Sequence, residues 1–295
     1  MSGSRHSALP VSLAVSANAP VMDERPLFFP SGSHRLFAMY HAPVAGAAAT
    51  ARRPVVFCHP FGEEKLWAHR VYVSAARTLA GRGHPVLRFD ARGHGDSSGP
   101  VRDYTVDGAI ADGIAAIGLA RELAGADQVI LIGLRLGGTI AGLIAEQRTD
   151  VEAIVQWAPI VDGARYMQEL LRVNLATQMA IYKEIRADRA ALVAALQAGE
   201  TVNVDGYAIG LGFYDGLMPI KHGKQPARFA GRSLVVQIDP RPGMPALAEL
   251  QHLAASYQHG TYAVVEEDPF WKEIPRFYDD ATKLMPATVS WLEAA

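Results

Sequence analysis

Val129-Ile130-Leu131-Ile132-Gly133-Leu134-Arg135-Leu136-Gly137-Gly138-Thr139-Ile140-Ala141 is the stretch on which the reading of this chain turns. Its four leading apolar residues leave no polar face, as expected of a strand buried on both sides of a parallel sheet. The small residues after Gly137 open a helix. Between the two, glycines stand two positions either side of Arg135, where a tight strand-to-helix turn needs positive φ or a close backbone approach.

The same strand-then-helix grammar repeats outward. Pro54–Cys58 reads as a buried strand running into His59-Pro60-Phe61-Gly62-Glu63-Glu64-Lys65, and Val71, Ala75 and Leu79 predict a helix over 68–80, closed by Gly81 and Gly83. Pro85–Asp90 is a third strand, followed by the glycine-rich Ala91–Gly99. A helix over 106–123, the central strand with its helix to about 147, and a strand over 151–157 ending at Ala158–Asp162 complete the alternation. Upstream, Pro26–Pro30 and Arg35–His41 flank Ser31-Gly32-Ser33 and predict an antiparallel hairpin. Downstream come strands at 233–238 and 261–265 and a final helix over 275–292.

This alternation predicts an α/β fold, a mostly parallel central sheet with right-handed crossovers and helices on both faces. Residues 163–230 break the pattern with helices over 164–182 and 183–196, then Val202–Tyr207 and a glycine-rich passage. They read as a helical cap or lid inserted over the strand ends. The expected organisation is a flexible tail at 1–22, a core from 23–162 and 231–295, and a cap at 163–230.

The bulk numbers narrow the function classes. The chain has 295 residues, 49% hydrophobic and 20% charged, enough for one large domain with a cap. A net charge of −2 gives no reason to expect nucleic acid or a membrane as partner. A single cysteine, Cys58, rules out a disulfide framework and a cysteine-based zinc site, so no metal and no cofactor is expected. The apolar stretch Ala8–Ala19, after Arg5 and His6, faintly resembles a signal peptide but is broken by Pro10, Ser12 and Ser16 and reads rather as a disordered leader; with one cysteine, the expected location is cytoplasmic. A homo-oligomer stays open.

Three linked motifs carry a resemblance. His59-Pro60-Phe61-Gly62 is similar to a His-Gly oxyanion loop. Asp90-Ala91-Arg92-Gly93-His94-Gly95-Asp96-Ser97 resembles the Asp-x-Arg-Gly-x-Gly-x-Ser loop of serine-aminopeptidase and monoacylglycerol-lipase-like hydrolases. Gly133–Gly137 occupies the place of the Gly-x-Ser-x-Gly nucleophile elbow. The likeness to the α/β-hydrolase superfamily runs over 53–160 and, more weakly, 231–293. Pro60–Glu64, Gly133–Gly137, Asp205-Gly206-Tyr207 and Pro269-Phe270-Trp271 further resemble the exosortase A system-associated hydrolase 2 group, which carries Gly-Leu-Arg-Leu-Gly at the elbow.

The resemblance implies a Ser-His-acid triad, and this sequence departs from it at all three places. Arg135 stands at the nucleophile. Arg241 falls at the acid, with Asp239 two residues early, and Glu266–Lys272 has no histidine for the base. An arginine at a buried helix start needs an anion, because the helix N-terminus is already positive and a bare buried cation is costly. Glu63 or Glu64 on the neighbouring loop can supply it, or a ligand carboxylate or phosphate can.

The expected site therefore has Arg135, Glu64, Glu63 and His59 as the chemical residues. Phe61, Gly62, Leu136, Asp162, Arg241, Phe270 and Trp271 are expected to line the pocket. Asp162 reads more readily as a loop or helix N-cap aspartate, and Cys58 as inert packing. The expected function is a pocket around Arg135 and Glu63/Glu64 that binds or transforms a small anionic or acyl-type molecule. The alternative is a serine-independent hydrolase or acyltransferase using activated water on an ester, thioester or amide.

Overall fold

A computed structural model describes residues 23–44, 53–274 and 278–294. The tail expected at 1–22 lies outside the described residues. The chain opens with strands β1 (Glu24–Ser31) and β2 (His34–His41), then alternates β3 (Val55–Cys58), α1 (Glu63–Gly81), β4 (Val86–Phe89), α2 (Val106–Ala124), β5 (Val129–Leu134), α3 (Leu136–Ala145) and β6 (Val151–Trp157). Between β6 and the next sheet strand come α4 (Gly163–Tyr182), α5 (Arg189–Gln197), the hairpin β7 (Val202–Val204) and β8 (Tyr207–Ile209), and α6 (Leu211–Leu217). The chain ends with β9 (Arg232–Asp239), α7 (Ala248–Ser256), β10 (His259–Glu266) and α8 (Leu284–Glu293).

The sheet order is β1-β2-β4-β3-β5-β6-β9-β10, with β1/β2 and β2/β4 antiparallel and every later pair parallel. The apolar runs are buried on both faces by alternation. Val56 and Leu131 join Ile117 and Ile144 on the α2/α3 side, while Phe57 and Ile132 join Tyr72, Trp157 and Leu284 on the α1/α8 side. The Tyr72 hydroxyl donates to Cys58 O and accepts from Leu134 N, each at 3.0 Å, tying the ends of β3 and β5 together beside the Arg135 turn.

Three helix starts differ from expectation. Helix α1 starts at Glu63, not near residue 68, because Gly62 turns the backbone at φ 60 and two acids occupy the first turn against the helix dipole. In the same first turn Lys65 pairs with Asp90 at 2.8 Å. The helix expected over 183–196 begins at Arg189, capped by Asp188, after Lys183 breaks the path at φ 63. The last helix begins at Leu284 rather than 275, since Glu267 reaches across to accept from the amides of Lys283 at 2.8 Å and Leu284 at 3.3 Å. Helices α6 and α7 fall where the sequence reading named none. Among the described residues no helix is long and apolar enough to cross a membrane.

Candidate functional site

The turn after β5 has the geometry its glycines require. Arg135 sits at φ 53, ψ −124, outside the favoured regions for an L-residue, and is held there by its amide on Trp157 O at 2.9 Å. The flanking glycines serve close approach rather than positive φ. A Cβ on Gly133 would lie 2.3 Å from Gly137 O, and one on Gly137 would lie 2.2 Å from Cys58 O. This turn aims the Arg135 side chain away from the sheet end, where α1, α4 and the 267–274 loop meet.

The guanidinium there is 16% exposed and has two carboxylates. Nε donates to Glu64 Oε1 at 2.9 Å and Nη2 to Glu169 Oε2 at 3.4 Å. The second Glu64 oxygen accepts from the Tyr166 hydroxyl at 3.0 Å. Cζ lies 5.5 Å from the Tyr166 ring centroid and 5.8 Å from that of Trp271. Burial works against the arginine's charge, but Glu64, with Tyr166 and Glu169, outweighs it and holds the pKa above the ordinary arginine value. Burial, reinforced by Glu64, pushes the Tyr166 phenol well up.

These groups form a partition between two openings. On one side lies a cleft of about 970 Å³ between α1, α4 and the β7–β8 hairpin, walled by Phe61, Trp67, Leu170, Val173 and Tyr207 among others. On the other is a smaller cavity of about 190 Å³ that reaches Asp162 and Glu249. Arg135, Tyr166, Glu169 and Trp271 border both. Trp271 is 5% exposed, and its Nε1 has no acceptor among the described residues.

Of the residues expected here, Arg135, Glu63, Glu64, Phe61, Gly62 and Trp271 come together in the large cleft. Glu64 rather than Glu63 meets the arginine. Glu63 lies nearer Asp205, and burial followed by that neighbouring charge raises its pKa. The remaining five are placed elsewhere. Arg241 is 69% exposed and folds back on Asp239 at 3.1 Å, because its own loop supplies the nearest carboxylate. Leu136 and Phe270 are sealed in the two apolar cores. His59 packs on Tyr72 with ring centroids 4.2 Å apart, and it lines a separate water-sized void of about 20 Å³ with Cys58 and His94. Burial drops its pKa well below the ordinary value. Asp162 caps α4 through Arg165 N at 3.1 Å and pairs with Lys221 at 2.7 Å, touching only the smaller cavity. Cys58 is buried, its thiol pushed up to about 12 by desolvation.

Tyr166 and Glu169 were not anticipated. They lie one turn apart on α4, so the helical spacing puts both on one face, but only the fold reveals which face meets Arg135. The glycine-rich loop after β4 is a brace. Asp112, fully buried, accepts from Arg92 N, Nε and Nη2 and from Ser31.

The profile of the serine aminopeptidase S33 family matches residues 49–203, which span the sheet strands β3 to β6 and the inserted helices α4 and α5. The chain belongs to this family. Its fold is the α/β-hydrolase fold, shared at low sequence identity with several solved structures. Est1E from Butyrivibrio proteoclasticus, solved with ferulic acid bound, is 16% identical over 91% of this chain and 96% of its own, with a TM-score of 0.63. VinJ is 16% identical over 92% and 98%, with a TM-score of 0.61. A proline iminopeptidase from Mycobacterium smegmatis is 13% identical over 92% and 98%, with a TM-score of 0.57. No curated protein matches the sequence. These likenesses extend to the fold, and the chemistry has to be argued from the cleft itself.

Proposed function

We propose that this S33-family chain works without a serine nucleophile and uses the Arg135 cleft to bind a small acyl-type or anionic molecule. The observation that carries the reading is the residue at the strained turn. A guanidinium stays protonated throughout the working pH range and has no lone pair to offer a carbonyl carbon. Here it is also tied to Glu64 and Glu169. Arg241 and Trp271, at the places the family pattern gives to the acid and base, do not supply a relay. One is exposed on Asp239, and the other is an indole with no basic nitrogen.

A second reading, hydrolysis by an activated water, is favoured by one feature. Glu63 borders the cleft with its pKa raised by burial and by Asp205, which moves a carboxylate toward the range of a useful general base. Glu64 is less suited, with one oxygen on Arg135 and the other on Tyr166. An ester or amide hydrolysis lost in Glu63→Gln would select this reading.

The test of the main reading is an active-site fluorophosphonate. The expected result is no stoichiometric labelling of any serine, and no esterase activity in Arg135→Ser. Labelling at a single serine would overturn the proposal.

A further inference from the structure

The cleft's charge and its unused donors say more about the ligand. Arg135 already faces two carboxylates, so its immediate surroundings carry an excess of negative charge. Glu63, Asp205 and Glu273 add three more acids to the lining, against only Arg172 and Lys272. A free carboxylate or phosphate entering beside Arg135 would meet Glu64 and Glu169 at close range. Like charges a few ångströms apart in partly dry surroundings repel by about 1 kcal/mol or more, roughly a fivefold loss in binding. Hydrogen-bond donors are nevertheless in surplus at this point. Arg135 Nη1 meets no acceptor among the described residues, where Nε and Nη2 do. Trp271 Nε1 is buried and also lacks one. An unmet buried donor such as Trp271 Nε1 is costly, and both side chains belong to the partition on which the cleft closes. The Arg135 Cζ lies 5.8 Å from the Trp271 ring centroid, so the two side chains are neighbours on the cleft wall.

From that point Tyr166, Leu170, Val173 and Ala176 run along α4 at helical spacing and border the cleft. The ten helical steps from Tyr166 to Ala176 make a wall about 15 Å long. Phe61 and Trp67 face it from the core.

We propose that the ligand presents an uncharged acyl carbonyl, an amide or ester rather than the free acid, whose oxygen accepts from Trp271 Nε1 and the Arg135 guanidinium while its apolar chain lies along α4. The inference rests on the cleft being a binding site for acyl-type molecules, and it fixes the charge state and the donors.

Octanamide and sodium octanoate, which share one chain and differ at the head, test it by calorimetric titration of the full chain at neutral pH. Octanamide is expected to bind at least about fivefold more tightly than octanoate. Trp271→Phe, which keeps an aromatic ring and removes the donor, is expected to weaken octanamide about 3- to 10-fold with only a small drop in melting temperature. Glu169→Gln is expected to narrow the gap between the probes by strengthening octanoate. Val173→Trp, which fills the α4 wall, is expected to weaken both. Tighter binding of octanoate would overturn the charge argument while leaving the cleft as the binding site. An unaltered octanamide affinity in Trp271→Phe would overturn the donor assignment. If neither probe binds at millimolar concentration, or if Val173→Trp changes nothing, the reading of the cleft as an acyl site falls with the inference.

Discussion

Arg135 combines two costs that proteins usually avoid separately, a strained backbone and a largely buried charge. The two can be resolved by mutation. Arg135→Ala and Arg135→Gly lose the same contacts and differ only in the Cβ, which is what makes φ 53, ψ −124 unfavourable. The glycine variant is therefore expected to be more stable than the alanine variant by about 1 kcal/mol, the reverse of the usual order, in urea unfolding. Glu64→Ala leaves the guanidinium with only the long 3.4 Å contact to Glu169 and strips the Tyr166 hydroxyl of its acceptor. Removing one partner of a buried pair costs about 3 kcal/mol or more. A double-mutant cycle with Arg135→Ala is expected to recover about 1–3 kcal/mol of coupling. A coupling near zero would mean that the pair is incidental.

At the scale of elements, α8 shows how a helix start is decided at a distance. Glu267 is buried, accepts from the amides of Lys283 and Leu284 and from the Tyr278 hydroxyl, and does for α8 what a local cap does elsewhere. Glu267→Ala would take this acceptor from the Lys283 and Leu284 amides at the start of α8. The expected result is a loss of about 2–4 kcal/mol, with hydrogen exchange accelerated first in α8. Uniform protection across α8 in the variant would show that packing, not the cap, sets its start.

The same element explains what the sequence could and could not say. Glu266-Glu267-Asp268 reads as a solvated charge run or as partners for Arg241, because nothing local marks Glu267 as the buried member 16 residues before its partner. The Arg135 turn, by contrast, was legible from its glycines, since the contacts that forbid a Cβ there lie within that turn and on the β3 end beside it. The hairpin and the parallel strands were legible for the same reason, period and turn chemistry being local. Arg241 was assigned to the pocket by its offset from a family pattern, whereas Asp239 two residues away holds it outside. Tyr166 and Glu169 were invisible because they reach Glu64 and Arg135 across 102 and 34 residues.

Across the whole molecule the titrating histidines point one way. His41 is inaccessible, and its Nε2 accepts from Arg88 Nε at 3.0 Å, which requires the ring to be neutral, with Nδ1 donating to Glu24 at 3.1 Å. Burial, then the Arg88 charge, lowers its pKa to about 4, against the pull of Glu24. Burial likewise lowers His222 to about 4, and lowers His59 and His94. The unfolded chain, with histidines near 6.5, therefore binds more protons than the folded one between about pH 4 and 6.5. Stability must rise with pH through that window and be lost as pH falls through it. Glu24, Asp150, Asp162 and Asp239, each held below the ordinary carboxylate range mainly by hydrogen bonds to basic partners, extend the loss to still lower pH. Each histidine adds up to about 1.4 kcal/mol per pH unit near the middle of the window. Urea unfolding at pH 7, 6 and 5 is expected to show a progressively lower unfolding free energy, and His41→Gln, which keeps an acceptor for Arg88 and cannot titrate, is expected to flatten the slope by about one proton. A profile level between pH 7 and 5 would mean that these histidines find water or a partner in the folded state that lets them charge at no cost.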